Sequence, residues 1–362
     1  MMECQPLHGG QLRPIADRFG VPISELLDFS ANINPDGPPT AVLSGLRASL
    51  DDPSILTNYP DLNEVELRRS LAHYVGVPSR SIAVANGFVP LLDAALRALS
   101  VHNCLVPVPA FVEYRRTLER SRVEMIPHIL NSGFDFNCDP SDLFAGSCDA
   151  ILMANPQNPS GVLFSREKVC RIVSLASKRS INVFLDEAFV DYSPENSLAS
   201  EVDRFPNLIV FRSVTKFFGM AGLRVAYAVA RPDVCERVRE SIPPWSVTTL
   251  ASLAVELALQ DETYRRRAIT INSERRDRMQ TAIRRLGIHV YPSVANFLLL
   301  RLPGSVDSGQ LWERLILKHH IVLRLCSNYE GLEDGHLRAA VLADGENERL
   351  VNALRRELEM PQ

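Results

Sequence analysis

Short apolar runs recur along the first two thirds of the chain, and longer stretches of mixed polarity separate them. Five runs contain almost no polar residue: 104–108, 150–154, 181–185, 208–211 and 225–230. A strand covered on both faces carries such a run, whereas a strand with one solvated face alternates apolar and polar residues. The pattern therefore predicts buried strands of a mostly parallel sheet with helices between them, which is an α/β fold.

Two helices can be placed by the signals at their ends. The stretch 61–74 starts with Asp61 as a candidate N-cap and has Glu64 three residues later, followed by apolar residues near helical spacing. The charge-rich stretch 262–286 predicts one long helix that stops at Gly287. After it come three strand-like stretches and a closing helix, at 296–301, 321–325, 337–341 and 345–358. These elements predict a smaller α+β domain.

The length of the chain predicts two domains, because single cores stop growing at roughly 250–300 residues and this chain has 362. We place the crossover at the long helix. The expected division is an N-terminal arm and small-domain segment over 1–45, a large domain over 46–260 and a small C-terminal domain over 261–362.

Composition narrows the choice of partners. The chain is 46% hydrophobic and 23% charged with a net charge of −4, which is typical of a globular protein and lacks the basic excess of nucleic-acid-binding domains. No run approaches the ~20 apolar residues that cross a bilayer, and the start lacks a signal-peptide core. The seven cysteines show no metal-ligand spacing. We therefore expect a cytoplasmic protein that acts on a small molecule, without metal, membrane or nucleic acid.

The segment SVTKFFGMAGLR, residues 213–224, places a serine, a threonine, a lysine and an arginine on a glycine-containing loop. Lysine is the residue that forms Schiff bases with pyridoxal 5′-phosphate (PLP), and hydroxyls with a guanidinium suit a phosphate. An isolated lysine is usually a solvated surface charge. The interpretation of Lys216 as a Schiff-base lysine therefore depends on the segments around it.

Two earlier segments supply that support. In INVFLDEAFVDY, Asp186 follows a predicted buried strand, where a carboxylate faces the ligand crevice and could keep a pyridine nitrogen protonated. Taken alone, Asp186 could equally be a helix or turn cap. In ANPQNPSG, Asn158 lies on an irregular loop after a strand and could donate to the cofactor's phenolic oxygen.

These three segments occur in the order and spacing of fold-type I PLP-dependent enzymes. With HGGQLRPIADRFG, NYPD, PAFVEY, PPWSV and SNYEGL, the resemblance extends nearly from end to end. The chain resembles the threonine-phosphate decarboxylases of cobalamin biosynthesis, a branch of the histidinol-phosphate aminotransferase-like enzymes. The resemblance implies a large domain with a mostly parallel seven-stranded sheet, a smaller α+β domain, and PLP as cofactor.

The resemblance also implies roles around the cofactor. Lys216 would form the Schiff base, Asp186 would pair with the ring nitrogen, Asn158 would contact the phenolic oxygen and Phe111 would lie on the ring face. The cofactor phosphate would be bound by Gly87, Phe88, Ser213, Thr215 and Arg224. Tyr59, in NYPD, would reach the cofactor phosphate of a neighbouring subunit, which implies a homodimer with shared active sites.

For the substrate, the resemblance implies that Arg338 clamps the α-carboxylate beside Asn158, a task suited to a planar guanidinium. A phosphorylated amino acid needs a second anion site. The candidates by resemblance are His8, Gly9, Asn32 and Arg324.

Four residues depart from the family's usual pattern. Pro90 in ANGFVP replaces a glutamate, and Leu342 and Ala343 stand where relatives carry another basic residue. Phe189 replaces the ring-contacting tyrosine of aminotransferases, which agrees better with the decarboxylase branch.

The expected reaction is decarboxylation of L-threonine O-3-phosphate to (R)-1-amino-2-propanol O-2-phosphate and CO2. One alternative is a histidinol-phosphate-type aminotransferase. Another is a decarboxylase of a different anionic amino acid in another pathway. A third is a PLP-binding regulator without catalysis, which the completeness of the predicted site disfavours.

Overall fold

The structure is a computed structural model that describes residues 8–332 and 334–359. Residues 1–7, the start of the predicted N-terminal arm, lie outside the described residues. The helices are Leu12–Phe19 (α1), Thr40–Ser49 (α2), Ser54–Thr57 (α3), Val65–Val75 (α4), Phe88–Ala98 (α5), Val112–Arg120 (α6), Arg166–Ser177 (α7), Val214–Phe217 (α8), Pro232–Glu240 (α9), Thr249–Leu259 (α10), Glu262–Arg284 (α11), Ser308–His319 (α12) and Asp344–Glu359 (α13).

The strands are Leu27–Asp28 (β1), Ile82–Ala85 (β2), Asn103–Val108 (β3), Glu124–Ile129 (β4), Ala150–Ala154 (β5), Asn182–Asp186 (β6), Leu208–Ser213 (β7), Ala226–Val229 (β8), His289–Val290 (β9), Phe297–Arg301 (β10), Ile321–Val322 (β11), Arg324–Leu325 (β12) and His336–Ala340 (β13). Short 3-10 turns connect several of these elements.

The central sheet has seven strands in the order β2-β8-β7-β6-β5-β3-β4. Strand β8 is antiparallel to both of its neighbours, and the pairings from β7 to β4 are parallel. The predicted mostly parallel seven-stranded sheet is therefore confirmed. The carboxyl ends of β5, β6 and β7 lie at one edge, where open α/β sheets bind their ligands.

Helices cover both faces of this sheet, and β6 shows how the sequence divides between them. Val183 and Leu185 are buried in a cluster with α7 and α10, while Phe184 is buried in a second cluster with α5 and α6. Successive strand residues point to opposite faces. A strand covered in this way carries an unbroken apolar run, as the sequence pattern predicted.

The second, smaller sheet has the order β12-β13-β10-β9, and its pairs are antiparallel. Its core also contains apolar side chains of α1, α12, α13 and the end of α11. Leu27 and Asp28 of β1 pair in parallel with Ile321 and Val322 of β11. The segment near the start of the chain therefore packs against the C-terminal sheet.

Helix α4 begins later than the sequence pattern predicted. The backbone of Glu64 is left-handed, with φ of 49°, so the helix starts at Val65. The carboxylate of Asp61 accepts hydrogen bonds from the amides of Asn63, at 3.0 Å, and Val65, at 2.7 Å. Asp61 therefore caps a turn that leads into the helix, and a cap pattern alone could not distinguish the two arrangements.

Among the residues that the structure describes, no helix is long and apolar enough to cross a membrane. Within the same part of the chain, no group of three or more histidine, cysteine, aspartate or glutamate side chains could hold a metal ion.

Candidate active site

A cavity of about 580 Å³ lies between the carboxyl ends of β5, β6 and β7 and the smaller sheet. The structure brings together here every predicted site residue except Tyr59. Those residues are His8, Gly9, Asn32, Gly87, Phe88, Phe111, Asn158, Asp186, Ser213, Thr215, Lys216, Arg224, Arg324 and Arg338.

Lys216 lies on the single-turn helix α8, directly after β7. The hydroxyl of Ser213 accepts a hydrogen bond from the amide of Thr215, at 3.3 Å, and so caps this turn. Burial, followed by the positive charges of Arg224 and Arg338, lowers the pKa of Lys216 to about 8. A lysine with this pKa is partly neutral near neutral pH, and the neutral amine is the form that attacks an aldehyde.

Asp186 is the last residue of β6 and is almost fully buried. Its Oδ2 accepts a hydrogen bond from the Tyr114 hydroxyl, at 2.6 Å, and its Oδ1 accepts one from the amide of Ala188, at 3.0 Å. Burial raises the pKa of Asp186, and these two donors and Lys216 oppose that rise. The site thus contains a buried carboxylate whose two oxygens are both oriented by donors.

Several candidate anion-binding groups meet at the start of α5. Gly87 has φ of 95°, and a Cβ on it would meet Nη2 of Arg224 at 3.0 Å. Beside them the hydroxyl oxygens of Ser213 and Thr215 are 2.7 Å apart. Backbone N–H groups at a helix start, two hydroxyls and a guanidinium are the donors that an anion needs.

The unusual sequence of this turn does not disrupt the helix start. Pro90 is the third residue of α5, and a proline is tolerated in a first turn because its N–H would have no helical partner there. Phe88 packs edge-on against Phe211, with ring centroids 5.3 Å apart, and tilted against Tyr114, at 5.6 Å. Phe88 therefore adds an aromatic side chain to the cavity lining beside this turn.

Arg338 lies on β13 and lines the cavity. Its Nη1 donates to Oδ1 of Asn158, at 2.6 Å, and to the hydroxyl of Tyr329, at 3.4 Å, while Nη2 donates to the carbonyl of Ser30, at 3.0 Å. These acceptors are neutral. They fix the orientation of the guanidinium without neutralising its charge.

The segment His8–Gly10 lies against the loop after β1. Gly10 donates its N–H to the hydroxyl of Ser30, at 2.9 Å, and a Cβ on Gly9 would meet the carbonyl oxygen of Ser30 at 1.9 Å. His8 is 3.0 Å from the carboxylate of Glu113. Burial lowers the pKa of His8, and Glu113 opposes this shift.

Asn32 and Arg324 complete this end of the cavity. Oδ1 of Asn32 is buried and has no hydrogen-bond partner among the residues that the structure describes. Nη2 of Arg324 donates to Oδ1 of Asn328, at 2.8 Å.

Tyr59 lies outside the cavity. Its side chain is 80% exposed, and its ring lies on Trp245 with centroids 4.8 Å apart.

The sequence did not predict four residues that contact the site: Ser30, Glu113, Tyr114 and Tyr329. Tyr114 and Glu113 lie in PAFVEY, and Tyr114 stands three residues after Phe111, which is a helical spacing that could have suggested a shared face. Ser30 contacts Arg338 through its backbone carbonyl, so its side-chain type gave no signal for that contact.

The order of the seven-stranded sheet, the aspartate at the end of β6 and the lysine after β7 define the fold of fold-type I PLP-dependent enzymes. The family model "Aminotransferase class I and II" matches residues 24–356, and the chain belongs to this family. The predicted fold class and family are thereby confirmed.

The individual relatives come from two branches of the family. A threonine-phosphate decarboxylase from Salmonella typhimurium is 35% identical over 97% of this chain and 96% of its own length. The crystal structure of L-threonine-O-3-phosphate decarboxylase from Porphyromonas gingivalis has a TM-score of 0.80 at 25% identity and covers 92% of this chain and 99% of that one. The histidinol-phosphate aminotransferase from Clostridium acetobutylicum has a TM-score of 0.86 at 27% identity, with the same two coverages.

Proposed function

We propose that this protein binds PLP and decarboxylates L-threonine O-3-phosphate to (R)-1-amino-2-propanol O-2-phosphate and CO2. The observation that carries the proposal is the arrangement of anion-binding groups around Lys216 in one cavity. Arg338 lies beside Asn158, and Arg324, His8 and Asn32 line the same cavity. This arrangement suits an amine with a carboxylate on one side and a phosphate on the other.

The residues present fit PLP. The recess at Gly87, which a Cβ would fill, suits the cofactor phosphate together with Ser213, Thr215 and Arg224. In this orientation Asp186 would receive the ring nitrogen, Phe111 would lie on the ring face and Asn158 would reach the phenolic oxygen. When bound, the cofactor accepts the electron pair that a broken Cα bond releases.

The residues of the chain then have separate tasks. Arg338 would hold the substrate carboxylate, and its own orientation is fixed by Asn158, Tyr329 and Ser30. Which bond at Cα breaks depends on how the carboxylate and the distal group are held, so these contacts select the reaction. Lys216, whose pKa is lowered to about 8, can carry a proton to Cα after CO2 has left.

Phe189 agrees better with the decarboxylase branch than with the aminotransferases, in which a ring-contacting tyrosine stands at this position. Its ring packs edge-on against Phe297, with centroids 4.9 Å apart, and it offers no hydroxyl to the cofactor. Arg338 in turn lies over Phe297, 5.3 Å from the ring centroid. The identity of 35% to a threonine-phosphate decarboxylase supports the same choice.

The second candidate is a histidinol-phosphate-type aminotransferase. The observation in its favour is the TM-score of 0.86 to a solved enzyme of that kind. The two candidates share the cofactor site and differ in what the distal end of the cavity binds. A decarboxylase of another anionic amino acid differs from the first candidate in that distal end alone.

Products distinguish these functions. We would incubate the holoenzyme with L-threonine O-3-phosphate, L-serine O-phosphate and L-histidinol phosphate, each with and without 2-oxoglutarate, and identify the products by mass spectrometry. The proposal expects an amino-alcohol phosphate from threonine phosphate without any 2-oxoglutarate. Conversion of histidinol phosphate that requires 2-oxoglutarate would support the aminotransferase instead. Lys216→Ala should abolish turnover, and Lys178→Ala, at an exposed position, should not.

We further propose that the protein is a cytoplasmic homodimer acting in cobalamin biosynthesis, with Tyr59 reaching the partner's cofactor phosphate. Tyr59 and Trp245 are exposed aromatic residues in contact with one another. Other large exposed apolar side chains come from the same part of the chain: Leu43, Leu50, Leu56, Leu62 and Val65. A second copy of the chain would cover such a surface.

A further inference from the structure

Tyr114 connects three parts of the site. Its hydroxyl donates to Asp186 at 2.6 Å, and its ring contacts Phe111, at 5.8 Å and nearly perpendicular, and Phe88, at 5.6 Å. The side chain is 1% exposed. Phe111 belongs to the expected ring-face wall and Phe88 to the phosphate turn, so one buried tyrosine contacts both of these residues and the carboxylate of Asp186.

We propose that Tyr114 is a positioning residue that acts on the cofactor through Asp186. It keeps that carboxylate ionised and aimed at the ring nitrogen. This inference rests on the proposal that the protein binds PLP, and it does not depend on which reaction follows.

The geometry explains why the hydroxyl is needed. A carboxylate oxygen has two lone pairs, so Oδ2 can accept from Tyr114 and Oδ1 from Ala188 while a lone pair stays available for a ring N–H. The two donors lock the carboxylate in one plane. They also favour its charged form, which burial alone disfavours.

Removing the hydroxyl should therefore change the protonation state of the bound cofactor, and not only the stability of the protein. In Tyr114→Phe the carboxylate of Asp186 becomes more basic and draws the proton away from the ring nitrogen. A ring nitrogen without its positive charge no longer repels the proton on the Lys216 nitrogen. The pH midpoint of the absorbance change of the bound cofactor should then rise.

The chain contains a matched control. The hydroxyl of Tyr74 donates to Asp191 at 2.6 Å, and both groups are shielded from solvent. Asp191 does not line the cavity. Tyr74→Phe therefore removes an equivalent hydrogen bond between a tyrosine and a carboxylate. Because Asp191 lies outside the cavity, this carboxylate would not contact the cofactor's ring nitrogen.

The experiment compares the wild type, Tyr114→Phe and Tyr74→Phe as purified homogeneous proteins. Each apoprotein is titrated with PLP and with 1-deaza-PLP, which lacks the ring nitrogen, and the pH dependence of the bound cofactor's absorbance is recorded. Thermal unfolding of each apoprotein measures any structural loss. The phenylalanine in both variants keeps the ring contacts.

For Tyr114→Phe we expect a PLP dissociation constant raised by roughly 5- to 100-fold, the range for a buried charged group that loses a donor, and a raised pH midpoint. With 1-deaza-PLP most of this loss of affinity should disappear, because the ring nitrogen that couples to Tyr114 is gone. Tyr74→Phe should keep the wild-type values for both ligands.

Equal PLP affinities and equal midpoints in the two variants would overturn the inference. The same penalty for PLP and 1-deaza-PLP would also overturn it, since it would mean a general packing effect. A wild-type protein that does not bind PLP would instead refute the proposed function.

Discussion

Arg324 and Arg338 stand directly opposite one another in the antiparallel pair of β12 and β13, and both line the cavity. Each is only 5% exposed. Like charges at opposite positions destabilise a sheet, and two bound anionic groups would offset that cost. The register of β12 and β13 therefore places two positive charges side by side in the cavity, which suits a substrate with two acidic groups.

The two arginines should have separable effects on binding. Arg338→Gln should weaken L-threonine and L-threonine O-3-phosphate alike, by about 30-fold or more, because each loses a charged partner for its carboxylate. Arg324→Gln should weaken the phosphorylated ligand far more than L-threonine. Spectral titration of the PLP-bound protein with both ligands measures these dissociation constants.

Arg301→Gln serves as the control, since Arg301 is an exposed arginine on the neighbouring strand β10 of the same sheet. It should leave both dissociation constants unchanged. If Arg324→Gln weakened the two ligands equally, the second anion site would lie elsewhere.

Gly87 should be required for cofactor affinity. In Gly87→Ala the new Cβ meets Arg224 at 3.0 Å and the residue is held at φ of 95°. Both effects displace the phosphate-binding groups, so we expect PLP affinity to fall by about tenfold or more, which is what strain of 1–3 kcal/mol produces. Equilibrium titration of the apoprotein tests this.

Gly222→Ala is the matched substitution for that experiment. A Cβ on Gly222 meets nothing within 4 Å, although the residue lies two positions from Arg224. Its PLP affinity should equal that of the wild type, and an equal loss in the two variants would argue against the assigned phosphate recess.

The sequence predicted the buried strands better than the strands at the edges. Strands β5, β6 and β7 are covered on both faces and carry unbroken apolar runs. Strand β4 lies at the sheet edge and is partly exposed throughout, so it produced no clear run. Strand β2 lies at the other edge and is buried; its short apolar run IAVA was not among the predicted strands. The hydrophobic pattern of a segment depends on how its two faces are covered, so a strand with exposed residues can be missed.

The site was predicted unevenly for a similar reason. Asp186 ends one buried strand and Lys216 follows another. The carboxyl ends of parallel strands face the ligand crevice, so the sequence alone was enough to predict that both residues belong to the site. The opposition of Arg324 and Arg338, in contrast, arises from the register of two short strands, which only the fold supplies. The contact between Tyr114 and Asp186 joins residues 72 positions apart and has no local pattern.

The proposed sharing of sites between subunits predicts complementation. Tyr59→Ala and Lys216→Ala proteins should each be nearly inactive alone. After unfolding and refolding of an equal mixture, about half of the dimers are mixed, and each of these contains one intact site. The mixture should therefore recover about a quarter of the wild-type activity per site.

The same mixture prepared without unfolding is the control, because slow subunit exchange should leave it inactive. A refolded mixture that stays inactive while refolded wild type recovers would contradict the placement of Tyr59 in the neighbouring site.

The pKa of Lys216 predicts the pH dependence of cofactor capture. Because the pKa of Lys216 is lowered to about 8, most of the amine carries a proton below that pH, and the protonated form cannot attack the aldehyde. The rate of absorbance change after mixing apoprotein with PLP should rise with pH up to about 8 and then level off. Ordinary lysines titrate near ~10.4, so a rate that keeps rising past pH 10 would contradict this environment for Lys216.

The central claim is that the arrangement around Lys216 releases CO2 and does not transfer the amine. The most direct measurement follows carboxyl-labelled L-threonine O-3-phosphate with the holoenzyme in the presence of 2-oxoglutarate. Decarboxylation should release one labelled CO2 for each amino-alcohol phosphate formed, and no glutamate should appear. Label retained in a keto acid, with glutamate formed in equal amount, would contradict it.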